Sequence, residues 1–129
     1  MNVATHQAID HSLCGTVQEF RTDFSRVELL TVQCMAADVS GLVHGGFVFS
    51  LADYAAMIAV NHPNTVLGSA DVRFVKPVRV GERLVAEATV EQRIEKKILV
   101  RVSVRREDDK VFNGIFTCFA PKRHVFAGE

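Results

Sequence analysis

The chain has no excess of charge of either sign: 15 Lys and Arg balance 15 Asp and Glu over 129 residues. A net charge of zero gives no general attraction to nucleic acid or to an anionic membrane surface. Cysteine is scarce. Cys14, Cys34 and Cys118 are odd in number, widely spaced and without a CxxC pair, which argues against a disulfide framework and a cysteine zinc site. They read as plain thiols of a reducing compartment, the cytoplasm. His6, His11, His44, His62 and His124 show no metal-ligand spacing. No GxGxxG or P-loop pattern is present to cradle phosphates. Repeats, low-complexity tracts and linkers are missing too. The longest apolar-rich stretch, 47–60, is interrupted by Ser50 and Asp53 and is too short to span a bilayer. The N-terminal MNVATHQAIDHSL has neither the basic start nor the apolar run of a secretory signal. No metal and no cofactor is expected.

What is present suits one domain over 1–129, with 1–14 and 121–129 at its periphery. Hydrophobic residues make up 48% of the chain, enough for a sizeable core. A short weak helix is expected over 4–13. Strands TVQEFRTDF and RVELLTVQC follow, separated near Ser25, and then a loop over 35–41. A helix over 44–61 ends at His62-Pro63, because the residue before proline disfavours helical geometry. The rest reads as β: 66–78 with an irregular end at Pro77, a VGER turn, 84–95, 97–107 and 111–120. Strand 97–107 alternates cleanly through Ile98, Val100, Val102 and Val104. It forms a hairpin with 84–95 about Glu95-Lys96-Lys97, and EDDK is the next turn. The order β-β-α-β-β-β-β predicts an α+β fold, one long helix wrapped by a curved, mostly antiparallel sheet.

That helix poses a chemical question. GLVHGGFVFSLADYAAMIAVNHP is apolar around most of its wheel, yet Asp53 stands in its middle. An ionised carboxylate in apolar surroundings is costly unless something compensates it. One sheet of this size covers one side of a helix, so a second subunit is the economical cover for the rest. A homodimer is therefore expected from the helix alone.

HGG at the helix start, LAD at this spacing after it, G-S-A-D-V-R-F at 68–74 and a strand-rich remainder resemble the hotdog superfamily. The similarity is strongest to its PaaI-type (phenylacetate-pathway) acyl-CoA thioesterases and covers about 15–120. The resemblance implies hydrolysis of an acyl-CoA thioester to acid and free CoA, across a dimer interface. It leaves open whether two dimers pair into a homotetramer.

The residues can be tested against that chemistry. Gly45 and Gly46 open the helix, where N–H groups lack intrahelical partners and the dipole favours negative charge. Gly45 is a candidate oxyanion donor, or else both glycines serve a tight turn and close packing. Asp53 is a candidate general base or nucleophile, because a partly apolar site raises a carboxylate's basicity. It is otherwise a satisfied buried carboxylate. Eight residues separate the two, ~12 Å along a helix axis. An oxyanion donor and a base must both come within about 3 Å of one reacting group. One chain cannot do this; two antiparallel helices from two subunits can.

The resemblance assigns further positions. Ser69 matches a hydroxyl that helps hold the attacking water, or else it is a turn serine at a strand start. Asp38 stands where relatives often carry Asn or Gln; either it points elsewhere, or near Asp53 it would raise that residue's pKa further and the site works differently. His44 orders the loop at the helix start. On residue type, Arg73 and Lys76, with Arg79, Lys122 and Arg123, are candidates to meet the CoA phosphates, or else they form a solvated strand face. Phe74, with Phe47, Phe49, Tyr54 and Met57, is a candidate lining for the acyl group, although most of these apolar residues are expected to be plain core. A non-catalytic acyl-CoA sensor and a hotdog hydratase or dehydratase are the alternative functions. No membrane or nucleic-acid partner is expected.

Overall fold

A computed structural model describes residues 1–128. Two short strands open the fold, β1 (Thr16–Arg21) and β2 (Phe24–Leu30), after a single helical turn α1 (His11–Cys14). The long helix α2 (Gly45–Val60) follows, and then β3 (Val66–Phe74), β4 (Arg83–Ile94), β5 (Lys97–Arg106) and β6 (Asp109–Phe119). The six strands form one sheet in the order β1-β2-β4-β5-β6-β3, antiparallel at every pairing. The α+β architecture of a helix held in one antiparallel sheet is the one expected from the sequence.

The sheet holds the helix because alternate residues face it. Ile98, Val100, Val102 and Val104 on β5 are buried, as are Leu84, Ala86 and Ala88 on β4. The period of two puts each set on one face. On the helix, Ala52, Ala55, Ala56 and Ala59 are buried as well. Small residues on both sides allow helix and sheet to approach closely at interior packing density.

Both helix ends are defined chemically. His44 is the N-cap, extended at φ −62 and ψ 131. Asn61 closes the other end in the left-handed region (φ 49, ψ 48), its N–H donating to the Met57 carbonyl at 2.8 Å. Asparagine tolerates that conformation better than most residues.

Several boundaries differ from the sequence expectation. The helix expected over 4–13 is confined to 11–14. The break between the first two strands falls at Thr22-Asp23, with Asp23 left-handed at φ 65, and not near Ser25. Ser25 lies inside β2, fully buried, its hydroxyl donating to the Ala55 carbonyl of α2 at 2.6 Å. β3 stops at Phe74, short of Pro77. Proline supplies no N–H to extend the ladder.

The premise that one chain leaves half of the helix bare also needs correction. Leu51, Ala52 and every residue from Tyr54 to Val60 are buried within a single chain. The N-terminal segment supplies the missing cover. His11 lies against Tyr54 with ring centroids 6.0 Å apart, and the Ala4 N–H donates to Asn61 Oδ1 at 2.7 Å. Besides Gly45 and Phe47 at the helix start, both half-buried, what stays open is a stripe: Gly46 is exposed, and Phe49, Ser50 and Asp53 are half-buried. That spacing of i, i+3, i+4 and i+7 is one helix face.

Candidate active site

Asp53 sits on the open stripe, two turns into α2. One of its oxygens, Oδ1, is buried without a hydrogen-bond partner. Burial pushes its carboxyl pKa from 3.8 up to about 6, and no cation or donor among the described residues offsets the shift. The satisfied-carboxylate alternative, in which a protein donor or an arginine pairs the group, is not what this chain presents. A carboxylate so placed is still mostly ionised at neutral pH and is a stronger base than an exposed one. Two thiols flank it. Buried Cys118 on β6 has its pKa pushed up to about 12, first by burial and then by the Asp53 charge. The Cys14 thiol, with the Ser50 hydroxyl beside it, is raised chiefly by burial, with smaller contributions from Asp10 and Asp53. Nothing in the spacing of these cysteines pointed to Asp53, since the three segments meet only in the folded chain.

The other end of the helix is an anion-ready terminus with one donor left over. His44 Nδ1 accepts the Gly46 N–H at 2.9 Å, and the His44 carbonyl accepts the Phe47 N–H at 3.0 Å. Gly45 N–H has no protein acceptor among the described residues. His44 thus orders the helix start, as its position suggested, and in doing so it occupies Gly46. A Cβ at Gly45 would meet Phe74 Cε1 at 3.2 Å. Glycine there lets the Phe74 ring lie against the backbone.

Phe74 is 56% exposed and packs edge-on against Phe112, centroids 5.1 Å apart. With Val43, Gly45, Val48, Val75, Lys76, Pro77, Val78 and Val111 it lines a groove of ≈ 290 Å³. The groove is apolar apart from Lys76 and opens beside the free Gly45 N–H. Of the other expected lining residues, Tyr54 and Met57 are core. Phe49 is half-buried, 5.3 Å from Phe116.

Three expected positions go elsewhere within one chain. Asp38 is exposed and turned into its own loop. Its Oδ1 accepts Ser40 N–H at 2.9 Å, Ser40 Oγ–H at 2.6 Å and Leu42 N–H at 3.3 Å. These bonds, the Ser40 hydroxyl first, hold its pKa down, and it makes no contribution to the shift at Asp53. Ser69 pairs with Thr117, whereas its neighbour Ala70 pairs with buried Phe116. Ser69 therefore lies on the sheet face turned away from the helix. Arg73, paired with Asn113, shares that outer face and makes a long 3.8 Å ion pair with Asp71. Both residues are on the exposed edge strand β3.

The family model described as "Thioesterase superfamily" matches residues 40–113, from the loop before α2 to the middle of β6. The chain belongs to the thioesterase superfamily. Among curated relatives it is 47% identical over 120 residues to a methylthioribose-1-phosphate isomerase of Aquifex aeolicus, covering 92% of this chain and 26% of that protein. It is 33% identical over 79 residues to the transcription factor FapR of Caldanaerobacter subterraneus, covering 61% of this chain and 40% of that protein. The chain thus spans about a quarter and two fifths of these two relatives' lengths. Among solved structures it resembles an uncharacterized protein, PH1136, from Pyrococcus horikoshii: TM-score 0.95, 46% identity, 97% of this chain and 96% of that one. It also resembles a mutant of phenylacetic acid degradation protein PaaI from Thermus thermophilus: TM-score 0.79, 26% identity, 86% of this chain and 96% of that one. The thioesterase-superfamily hotdog fold accounts for the wrapped helix. No helix among the described residues is long and apolar enough to cross a membrane.

Proposed function

We propose that this thioesterase-superfamily chain hydrolyses the thioester of a small aryl or short- to medium-chain acyl-CoA, yielding free acid and CoA. The observation that carries the reading is the unpaired, half-buried Asp53 on the same helix as the unpaired Gly45 N–H.

The two groups act together when two chains lie with their helices antiparallel. The Gly45 N–H of one protomer then faces Asp53 of the partner subunit. The open stripe through Gly46, Phe49, Ser50 and Asp53 is the surface that such a partner would cover. Symmetry makes two equivalent sites. The thioester carbonyl oxygen accepts from Gly45, where the helix dipole favours the charge that develops on it. In one route Asp53 takes a proton from water as the water oxygen attacks the carbonyl carbon. In the other the carboxylate itself attacks, forming a mixed anhydride that water then cleaves. In both, the carbon–sulfur bond breaks and CoA leaves as a thiolate that is then protonated. Phe74 and Lys76 line the binding groove, and His44 and Gly46 fix the helix start beside it. Ser69, Asp38 and Arg73 have no place in it from their own chain.

The test is a panel of acyl-CoA esters with the released thiol measured. Turnover by the wild type and its loss, by a factor of ~10³ or more, in a still dimeric Asp53→Ala variant are expected. Ordinary turnover by that variant sinks the assignment. A second reading, a non-catalytic acyl-CoA sensor, draws on the likeness to FapR. Tight binding of acyl-CoA with no turnover by the wild type would favour it.

A further inference from the structure

A second concavity adjoins the groove at Gly45. It measures ≈ 690 Å³ and is lined by Ser40, Leu42, Lys76, Pro77, Val78, Arg79, Glu82 and Arg106. Lys76, Pro77 and Val78 line both spaces. The apolar groove beside the Gly45 N–H and a basic chamber therefore lie side by side, sharing the segment Lys76–Val78. An acyl-CoA has the same layout: a reacting thioester, a long weakly polar arm, and a nucleotide carrying three phosphates.

The charges in the chamber are unequally engaged. Lys76 Nζ is 3.2 Å from Asp109 Oδ1. Arg106 bonds Glu82 Oε1 at 3.0 Å and the Pro77 carbonyl at 3.0 Å, and lies 3.4 Å from Asp109 Oδ2. Glu82 is occupied twice, since its Oε1 also accepts the Arg79 backbone N–H at 2.6 Å. The Arg79 guanidinium is different. It is exposed and makes one 3.3 Å bond from Nη1 to the Ser40 carbonyl, with no carboxylate partner among the described residues. The carboxylates are matched by Lys76 and Arg106, so Arg79 is the surplus cation. Its planar fork suits a phosphate bidentately.

We propose that this chamber is the seat of the nucleotide end of coenzyme A, with the Arg79 guanidinium on its phosphates. The same chain that presents Gly45 then holds the nucleotide. This rests on the thioesterase-superfamily reading above for the direction of the bound thioester. It further selects free CoA over a carrier protein as the acyl donor. A carrier protein brings one phosphate on a convex surface and leaves a chamber of this volume unfilled; a nucleotide fills it.

Calorimetric titration with CoA tests the seat without any catalytic step. Arg79→Ala should weaken CoA about tenfold, and Arg79→Glu further. Pantetheine, which lacks the nucleotide, should bind the wild type at least tenfold more weakly than CoA. In turnover, the ratio of kcat/KM for acyl-CoA over the matching acyl-pantetheine should fall about tenfold in Arg79→Ala. Equal CoA affinity in wild type and both variants, each with an unchanged melting temperature, overturns the proposal. So does turnover of an acyl carrier protein thioester ahead of acyl-CoA. The two readings fail separately. Arg79-dependent CoA binding by a protein without turnover removes the enzyme reading and keeps the seat. Hydrolysis indifferent to Arg79 keeps the enzyme and removes the seat.

Discussion

His44 Nδ1 holds the Gly46 N–H at 2.9 Å, while the adjacent Gly45 N–H has no protein acceptor among the described residues. The side chain is therefore an N-cap first. Replacing a capping side chain by alanine typically costs about 0.5–2 kcal/mol. At about 1 kcal/mol, His44→Ala should lower the melting temperature by roughly 3–6 °C. His44→Asn, whose carbonyl caps equally well, should restore it. An unchanged melting temperature in His44→Ala would mean that the cap is not a stabilising contact.

Gly45 offers a clean separation of sterics from hydrogen bonding. A Cβ there meets the Phe74 ring at 3.2 Å whichever residue brings it. Gly45→Ala keeps the N–H and Gly45→Pro removes it. Proline is well accepted as the first residue of a helix, and the extended His44 (ψ 131) suits a following proline. Both variants should fold. Gly45→Pro should then lose a further ~10²–10³ in kcat relative to Gly45→Ala. Equal rates in the two would remove the oxyanion role.

Asp53 predicts two pH dependences. With a pKa of about 6 the base form is lost in acid, so kcat should fall below roughly that pH. Stability should move the other way. The folded carboxyl holds its proton up to about 6, whereas an unfolded one releases it near 3.8. Between those values the folded state binds more protons, so stability declines as pH rises through the window. Asp53→Asn carries no such charge. Its melting temperature should exceed that of the wild type at pH 8, and the gap should close toward pH 4. A gap that is constant with pH would contradict the burial of this charge.

Gly114 on β6 lets β3 dock. A Cβ there would lie 2.6 Å from the Asp71 carbonyl oxygen and 2.6 Å from Val72 Cγ1. The backbone atom cannot swing aside, so Gly114→Ala should destabilise by about 1–3 kcal/mol. Hydrogen exchange should show the loss concentrated in 66–74, the edge strand that carries Phe74.

The sequence was most legible where one period ran unbroken. Ile98, Val100, Val102 and Val104 alternate into the core, and the apolar run after His44 is the helix between its two caps. It was least legible where one residue decides a direction. At Ser69 the register shifts between Leu67 and Ser69, and a one-residue shift turns a side chain to the other face. A match of motif spacing carries no such information. Asp38 is similar: its place before HGG was readable, but its three bonds within its own loop depend on how Ser40 and Leu42 fold back. Ser25 read as a break because serine favours turns. Its buried bond to the Ala55 carbonyl, 30 residues away, is a long-range contact that no local pattern announces.

The Asn61 side chain has a practical corollary for anyone building on this chain. It takes the Ala4 N–H and donates to the Asn2 carbonyl at 2.9 Å, fastening the first residues at the far end of the helix. That end is ~24 Å along the axis from Gly45. In the antiparallel pair proposed above, however, Asp53 faces the partner subunit's Gly45, so this same end lies only ~12 Å along the axis from that donor. A dye joined ahead of Met1 would therefore report on the partner's groove, and the leading end is a poor choice of handle for immobilising the protein while ligands are titrated.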